Sequence, residues 1–192
     1  MQFLSWRRTL RLLAAIAGLS VSIFSTASAQ APLQTPNPHY VSIPLEIDVN
    51  RPAAEVWKRV GKYCDMAEWW QIDCVITSGK DGEIGAVRSL SNGAYIEILV
   101  AKTALSYTYT QPVREGERYN LYHATVEAVP VSATTSKLLY TMFYDNSMLA
   151  DDAARDKETK QRIAQFTYAL KNMKTIAEGG TLPPRAARSR KQ

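Results

Sequence analysis

The sequence is poor in the residues on which most enzyme centres depend. Its 192 residues include only two histidines, His39 and His123, and only two cysteines. It contains no GxSxG, Walker-type, HExxH or Rossmann glycine motif, so the common nucleophile, metalloprotease and nucleotide sites are not indicated. A hydrolytic triad would need a histidine, yet His39 lies in a proline-rich segment and His123 should face outward on a strand. No familiar catalytic constellation is therefore predicted.

The two cysteines, Cys64 and Cys74, are separated by nine residues. This spacing fits neither a CxxC redox pair nor a four-ligand zinc site, and we predict no metal and no other cofactor. In an exported chain the default fate of such a pair is a disulfide, which for so short a loop would contribute about 2–3 kcal/mol. A pair of reduced buried thiols, or a redox or metal site, remains the alternative reading.

Basic residues are scarce in the part of the chain that can fold. The net charge is +5 and the pI about 9.2. Three arginines stand within the first 29 residues and four basic residues near the end, which leaves 16 basic against 18 acidic side chains elsewhere. A broad positive face is not expected, so we predict no nucleic-acid partner.

The longest apolar run is too short for a convincing membrane span. It extends from Leu12 to Phe24, follows three arginines and precedes the small residues Ala27-Ser28-Ala29. These are the parts of a secretory signal peptide, predicted over residues 1–29 with cleavage near Ala29. A periplasmic or secreted protein with no stable membrane span after cleavage is expected. The Arg7-Arg8 pair leaves twin-arginine export open beside the general route.

Alternating apolar residues dominate the middle of the chain, whereas the end has a helical period. An extended leader over residues 30–40 precedes the folded domain, predicted over residues 41–177, and a disordered basic tail follows over residues 178–192. Two short helices are predicted after the first strand, starting at Arg51-Pro52 and at Asp65. The predicted strands are 41–49, 73–78, 85–90, 95–102, 106–111, 118–128 and 136–145.

A long helix from Asp151 to Ala177 closes the predicted domain. Apolar residues recur on one stripe of it at steps of three and four. The simplest cover for that stripe is a curved antiparallel sheet, so we predict an α+β fold in which seven strands wrap around one helix and can enclose a cavity. The stripe consists of Ile163, Phe166, Leu170, Met173 and Ala177.

The Asn92-Gly93 dipeptide predicts a two-residue hairpin turn and therefore a register. In that register Arg88 lies directly opposite Glu97, and Leu90 opposite Tyr95. Both faces of the hairpin are apolar enough to be buried, so periodicity alone leaves open which face looks inward.

The order of elements resembles the START-related, Bet v 1-like superfamily, also written SRPBCC, whose fold is called helix-grip. The local phrases that carry the resemblance are "VWKRVGKYCDMAEWW", "GAVRSL", "SNGAYIEIL", "LSYTYTQP" and "YNLYHATVEA". They are similar to the bacterial branch of polyketide cyclase/dehydrase and lipid-transport proteins, which often carries cysteines where Cys64 and Cys74 stand. The resemblance covers about residues 41–177 and implies a mainly apolar pocket between sheet and helix.

Two pocket residues are implied by position within this resemblance. In related plant hormone receptors the glutamate of an "E-x-L" phrase and the tyrosine of an "N-Y" phrase line the pocket, which corresponds to Glu97 and Tyr122. Here Leu121 stands where the family has the asparagine, so the local backbone is expected to differ. The Trp-His-Pro that commonly ends the second helix is replaced by Trp69-Trp70-Gln71, so no role for that histidine carries over.

If Glu97 faces inward, strand alternation and the helix stripe define a candidate ligand site rich in tyrosine hydroxyls. About half of its tyrosines should be plain core, since aromatic residues favour strands for packing reasons alone. Arg88 and Glu97 have three possible roles, namely a structural ion pair, a ligand anchor or an acid/base pair. The candidate site consists of Arg88, Leu90, Glu97, Tyr107, Tyr109, Tyr122, Tyr140, Phe166 and Leu170.

The first functional hypothesis is an exported protein that binds or carries a small hydrophobic or amphipathic molecule such as a lipid, polyketide or aromatic metabolite. The alternative is a cyclase, dehydrase or isomerase in which Glu97 acts as acid/base and Arg88 orients it. A third possibility is an interaction module whose cavity is filled by its own side chains.

Overall fold

The computed structural model describes residues 37–114 and 116–184 of the chain. Seven strands and three helices follow one another in the predicted order. The predicted signal peptide, most of the leader and the end of the tail lie outside the described residues. The strands are β1 (Tyr40–Val49), β2 (Cys74–Ser78), β3 (Val87–Leu90), β4 (Tyr95–Lys102), β5 (Ser106–Thr110), β6 (Asn120–Pro130) and β7 (Ser136–Asp145), and the helices are α1 (Ala53–Val60), α2 (Met66–Trp70) and α3 (Asp152–Ala177).

The strands form one antiparallel sheet in the order β1-β7-β6-β5-β4-β3-β2. The short links from β2 to β7 make a meander, because consecutive strands joined by tight turns become antiparallel neighbours. Strand β1 pairs with β7 and so lies at an edge. That position explains Pro44, which has no N–H to give to a second neighbour. The predicted seven-stranded α+β architecture is confirmed.

Helix α3 covers the concave face of the sheet. Its N-cap is Asp151, whose Oδ1 accepts a hydrogen bond from the Ala154 N–H at 2.7 Å. Phe166, Leu170 and Met173 of the predicted stripe are buried, but Ile163 is 39% exposed. Before Phe166 the inward face of α3 continues through Arg162 and Glu158, one and two helical turns earlier. Ile163 lies outside this face.

The predicted hairpin register is confirmed, since Arg88 pairs with Glu97 and Leu90 with Tyr95. Asn92 and Gly93 both have positive φ, as a type I′ turn requires. The inward face carries Arg88, Leu90, Glu97 and Leu99, which are all nearly or fully buried. The structure thus settles the choice between the two faces that periodicity left open.

A backbone irregularity lies where Leu121 departs from the family phrase. The register between β6 and β7 shifts between Asn120 and His123, and Leu121 has a φ of 52°. The side chain of Asn120 accepts a hydrogen bond from the Leu121 N–H at 2.7 Å. This bulge turns Leu121 outward and keeps Tyr122 inward.

Cys64 and Cys74 form a disulfide, with 5.8 Å between their Cα atoms. It closes a loop that contains α2 and ties that helix to the start of β2. Closing a loop of this length stabilises the fold by about 2–3 kcal/mol. The predicted disulfide is confirmed, and the reduced-thiol and metal alternatives no longer apply.

Two ends of the described chain pack against this domain. The backbone N–H of His39 donates to Asp145 Oδ1 at 2.8 Å, and its ring contacts Asn146. In the segment predicted as tail, Leu182 is partly buried against the core and the Pro183 carbonyl accepts from Gln71 at 2.7 Å. Over the described residues, each helix is too short or too polar to cross a bilayer.

Candidate functional site

A cavity of about 400 Å³ lies between α3 and the concave face of the sheet. Half of its eighteen lining side chains are charged or polar, so it is more polar than the resemblance implied. The lining residues are Met66, Trp70, Ile72, Leu90, Ser91, Tyr95, Glu97, Tyr109, Gln111, Glu117, Arg118, Tyr119, Tyr122, Glu158, Gln161, Arg162, Gln165 and Phe166.

Five of the nine sequence-predicted site residues line this cavity, namely Leu90, Glu97, Tyr109, Tyr122 and Phe166. The other four are buried in the layer behind the lining and do not form its surface. For the three that lie on strands, the reason is that strand alternation assigns a side chain to a face of the sheet but not to a depth along it. These four are Arg88, Tyr107, Tyr140 and Leu170.

Arg88 and Glu97 form an ion pair in the interior. Arg88 Nε donates to Glu97 Oε2 at 2.8 Å, and Nη2 lies 2.5 Å from the same oxygen. The side chains are 0% and 4% exposed. Arg88 Nη1 donates to the backbone carbonyl of Tyr63, which attaches the loop between α1 and α2 to the sheet. The pair therefore joins the β3–β4 hairpin to the helical layer.

Three tyrosine rings surround the Arg88 guanidinium. Its central carbon lies 3.9 Å from the ring centre of Tyr63, 4.8 Å from Tyr109 and 5.6 Å from Tyr107. Burial, the largest single influence, would lower the pKa of Arg88, but the facing Glu97 carboxylate and the surrounding tyrosines together raise the pKa above its ordinary value. Arg88 is thus a fixed cation that does not reach the cavity.

The remaining oxygen of Glu97 is connected to the cavity wall through Gln111. Gln111 Nε2 donates to Glu97 Oε1 at 2.8 Å, while Tyr119 donates to Gln111 Oε1 at 2.5 Å. Reversing the amide would place its oxygen against the carboxylate, so the chain of hydrogen bonds fixes its orientation. Glu97 is therefore an ion-paired carboxylate at the cavity wall, and each of its oxygens has a partner within the protein.

A second cluster of buried hydroxyls lies deeper on the sheet. Tyr109 and Tyr140 share a hydrogen bond of 2.6 Å between their hydroxyls, and the Tyr122 hydroxyl lies 3.4 Å from that of Tyr109. Burial raises the pKa of all three above the ordinary value of a phenol. They therefore remain neutral and can both donate and accept hydrogen bonds.

Sequence reasoning missed most of the polar lining. Glu158 and Arg162 precede Phe166 at steps of four, so the same helix stripe contained the signal. Gln111 continues the alternation of Tyr107 and Tyr109 by two residues. Trp70, next to Trp69 in α2, is a further lining residue that the predicted site did not include. The structure places it in the lining, whereas Trp69 is fully buried.

Comparison with solved structures gives the fold a wider context. A protein from Thermobifida fusca matches with a TM-score of 0.61 and 20% identity over 74% of this chain and 97% of its own. An aromatase/cyclase from a Streptomyces species matches at 0.59 and 17% over 74% and 100%. A truncated norcoclaurine synthase from Thalictrum flavum matches at 0.57 and 11% over 78% and 100%. No protein-family model and no curated protein matches the sequence.

At these identities the likeness establishes the fold. The chain is a helix-grip protein, with a seven-stranded antiparallel sheet around a long C-terminal helix. This is the fold of the START-related, Bet v 1-like superfamily, and the resemblance drawn from the sequence is confirmed at that level.

The buried ion pair makes a stability prediction. Arg88→Met leaves the Glu97 carboxylate buried without its counter-charge, so we expect the free energy of unfolding to fall by about 3–5 kcal/mol. The double variant Arg88→Met/Glu97→Leu should recover most of that loss, because no uncompensated charge remains. Urea denaturation measures both. Lys137→Met, in an exposed pair with Glu46, is the matched control and should change stability little. A small loss for Arg88→Met would contradict the prediction.

The buried phenols predict instability in alkali. Above pH 10, the ordinary pKa of a phenol, the unfolded chain releases protons that the folded chain keeps, so the free energy of unfolding falls as pH rises. We expect phenolate absorbance from these residues to appear together with loss of the β-sheet circular dichroism. Full ionisation of all ten tyrosines in a folded protein would contradict this. The tyrosines with raised pKa are Tyr63, Tyr107, Tyr109, Tyr119, Tyr122, Tyr140 and Tyr144.

Proposed function

We propose that this protein binds and holds one small amphipathic molecule in the cavity between the sheet and α3. The observation that carries the proposal is the cavity itself, about 400 Å³ in volume and bounded by both apolar rings and fixed polar groups. Cavities of roughly 300–1,000 Å³ are typical of small-molecule sites. The possibility that the protein's own side chains fill the interior is disfavoured by this volume.

An apolar body of the ligand would contact the side of the cavity formed by Trp70 and Phe166. Their rings meet edge to face with centres 5.2 Å apart, and Leu90 adds an aliphatic surface from β3. Such rings offer a large apolar area at little cost in side-chain entropy. A lipid chain, a polyketide or an aromatic metabolite would satisfy this surface.

A polar group of the ligand would meet the tyrosine hydroxyls. Tyr109, Tyr122 and Tyr140 have three hydroxyl protons but only two contacts among themselves. At least one proton is therefore not used within the cluster. Since Tyr140 is behind the lining, Tyr109 or Tyr122 would donate it, and a ligand carbonyl or hydroxyl is the acceptor that suits a neutral phenol.

Five of the predicted residues are proposed ligand contacts, namely Leu90, Glu97, Tyr109, Tyr122 and Phe166. Arg88, Tyr107, Tyr140 and Leu170 would support these contacts from behind. This division follows from which side chains line the cavity and which are buried beneath it.

The alternative is a cyclase, dehydrase or isomerase with Glu97 as its acid/base. The position of Glu97 in the cavity wall favours it. Against it, both carboxylate oxygens already have protein partners, since Arg88 donates to Oε2 and Gln111 to Oε1. If a reaction is found, Glu97→Gln should abolish turnover and largely preserve binding. Undiminished turnover in that variant would exclude this mechanism.

We also propose that the protein is exported, with residues 1–29 as its cleaved signal peptide. The disulfide supports export, because such bonds persist chiefly in oxidising compartments. The carrier would then work in the periplasm or outside the cell.

Binding can be tested directly on the purified, disulfide-bonded protein. We expect mass spectrometry of gently purified protein, denatured in solvent, to release a small amphipathic molecule. Ile72→Trp should reduce its recovery, because the added ring occupies the cavity. Val75→Trp is the matched control, since Val75 is 56% exposed on the adjacent strand. Absence of any ligand, both after purification and after incubation with a broad lipid and metabolite library, would reject the proposal.

A further inference from the structure

Arg162 is the second interior arginine of this fold, and its surroundings differ from those of Arg88. It lies on the cavity face of α3, and its side chain is only 14% exposed. The guanidinium carbon is 4.3 Å from the ring centre of Tyr119, 4.5 Å from Tyr144 and 5.3 Å from Tyr122. Three aromatic faces therefore hold the planar group in one place.

Only one edge of this guanidinium is used by the protein. Arg162 Nε donates to Glu158 Oε1, and Glu158 Oε2 accepts from the Tyr144 hydroxyl at 2.8 Å. Within residues 37–114 and 116–184 no hydrogen-bond acceptor is found for Nη1 or Nη2 of Arg162. The two nitrogens are also not fully buried, since they are not among the enclosed polar atoms that lack a partner. Because Arg162 lines the cavity, these nitrogens are the donors that it can offer to a ligand.

Arg88 shows what a purely structural arginine looks like in the same protein. Its side chain is 0% exposed. Nε and Nη1 donate to Glu97 and to the Tyr63 carbonyl, and Nη2 meets the Glu97 carboxylate as an ion-pair contact at 2.5 Å without hydrogen-bond geometry. Arg162 has the same aromatic enclosure but keeps its outer nitrogens free. Arg162 is therefore held in a fixed orientation at the cavity surface, where its outer nitrogens can bind a ligand.

The net charge around the cavity is close to zero, so it neither attracts nor repels an anion strongly. Glu97 is neutralised by Arg88 and Glu158 by Arg162. Glu117 and Arg118 add one charge of each sign to the lining. The preference for a charged ligand would therefore come from the geometry of the donors rather than from the net field.

We infer that the ligand carries a carboxylate, which accepts hydrogen bonds from the terminal nitrogens of Arg162 while its apolar body lies against Trp70 and Phe166. Two parallel N–H donors in one plane match the two oxygens of a carboxylate, and such charge-assisted pairs are stronger than neutral ones. The ligand class is thus an amphipathic organic acid. This inference rests on the proposed binding function and narrows it.

The test compares acids with alcohols of the same skeleton. Calorimetry at low salt and neutral pH would measure naphthoate against naphthalenemethanol, and octanoate against octanol. We expect the wild-type protein to prefer the acid of a pair by about 10- to 100-fold. Glu158→Gln/Arg162→Met should lose that preference while still binding the alcohol. The glutamine removes a carboxylate that would otherwise repel the probe after the arginine is gone.

Two single variants separate the arginine from its neighbours. Glu158→Gln should increase the preference for the acid, since it removes a competing carboxylate and keeps Arg162. Arg155→Met removes an arginine of the same helix that does not line the cavity, and it should leave the preference as in the wild type. Circular dichroism would verify that every variant is folded.

The outcomes distinguish this inference from the proposed function. Equal binding of acid and alcohol by the wild type, or an undiminished preference in the double variant, would overturn the inference that Arg162 binds a ligand carboxylate. The proposed binding function would remain intact. No binding of either probe pair would count against both.

Discussion

The buried ion pair between Arg88 and Glu97 is the constraint on which the interior of this protein depends. Two charges removed from water are tolerated only when each finds strong partners, and here the partners come from different parts of the chain. The hairpin supplies the pair, the loop after α1 supplies a carbonyl, and Gln111, directly after β5, supplies an amide. Satisfying this one pair brings the sheet, the helical layer and the cavity wall into a single arrangement.

The chemistry of the cavity follows from that arrangement. The charge of Glu97 is already matched, and burial keeps the phenols of Tyr109, Tyr122 and Tyr140 neutral. A wall of this kind offers directed hydrogen bonds to a bound molecule. Arg162 differs, because its outer nitrogens have no hydrogen-bond acceptor in the part of the chain that the structure describes.

Much of the fold could be predicted because its signals are local. Asn92-Gly93 determines a turn and with it a register, and alternation along β7 places Tyr140 and Tyr144 on one face. Depth is not local, so the sequence could not separate Tyr109, in the cavity lining, from Tyr140 behind it. The helical period alone predicts Ile163 on the buried stripe. In the structure Arg162 takes the inward position instead, because three tyrosine rings and the Glu158 carboxylate stabilise its positive charge there.

The disulfide between Cys64 and Cys74 has a consequence for molecular recognition. Three lining side chains, those of Met66, Trp70 and Ile72, lie within the loop that it closes. A flexible loop of this kind would lose conformational freedom each time a ligand arrived, and affinity would fall accordingly. The disulfide restricts the loop once, during oxidative folding. Each later binding event therefore meets a surface that is already ordered and costs less conformational entropy.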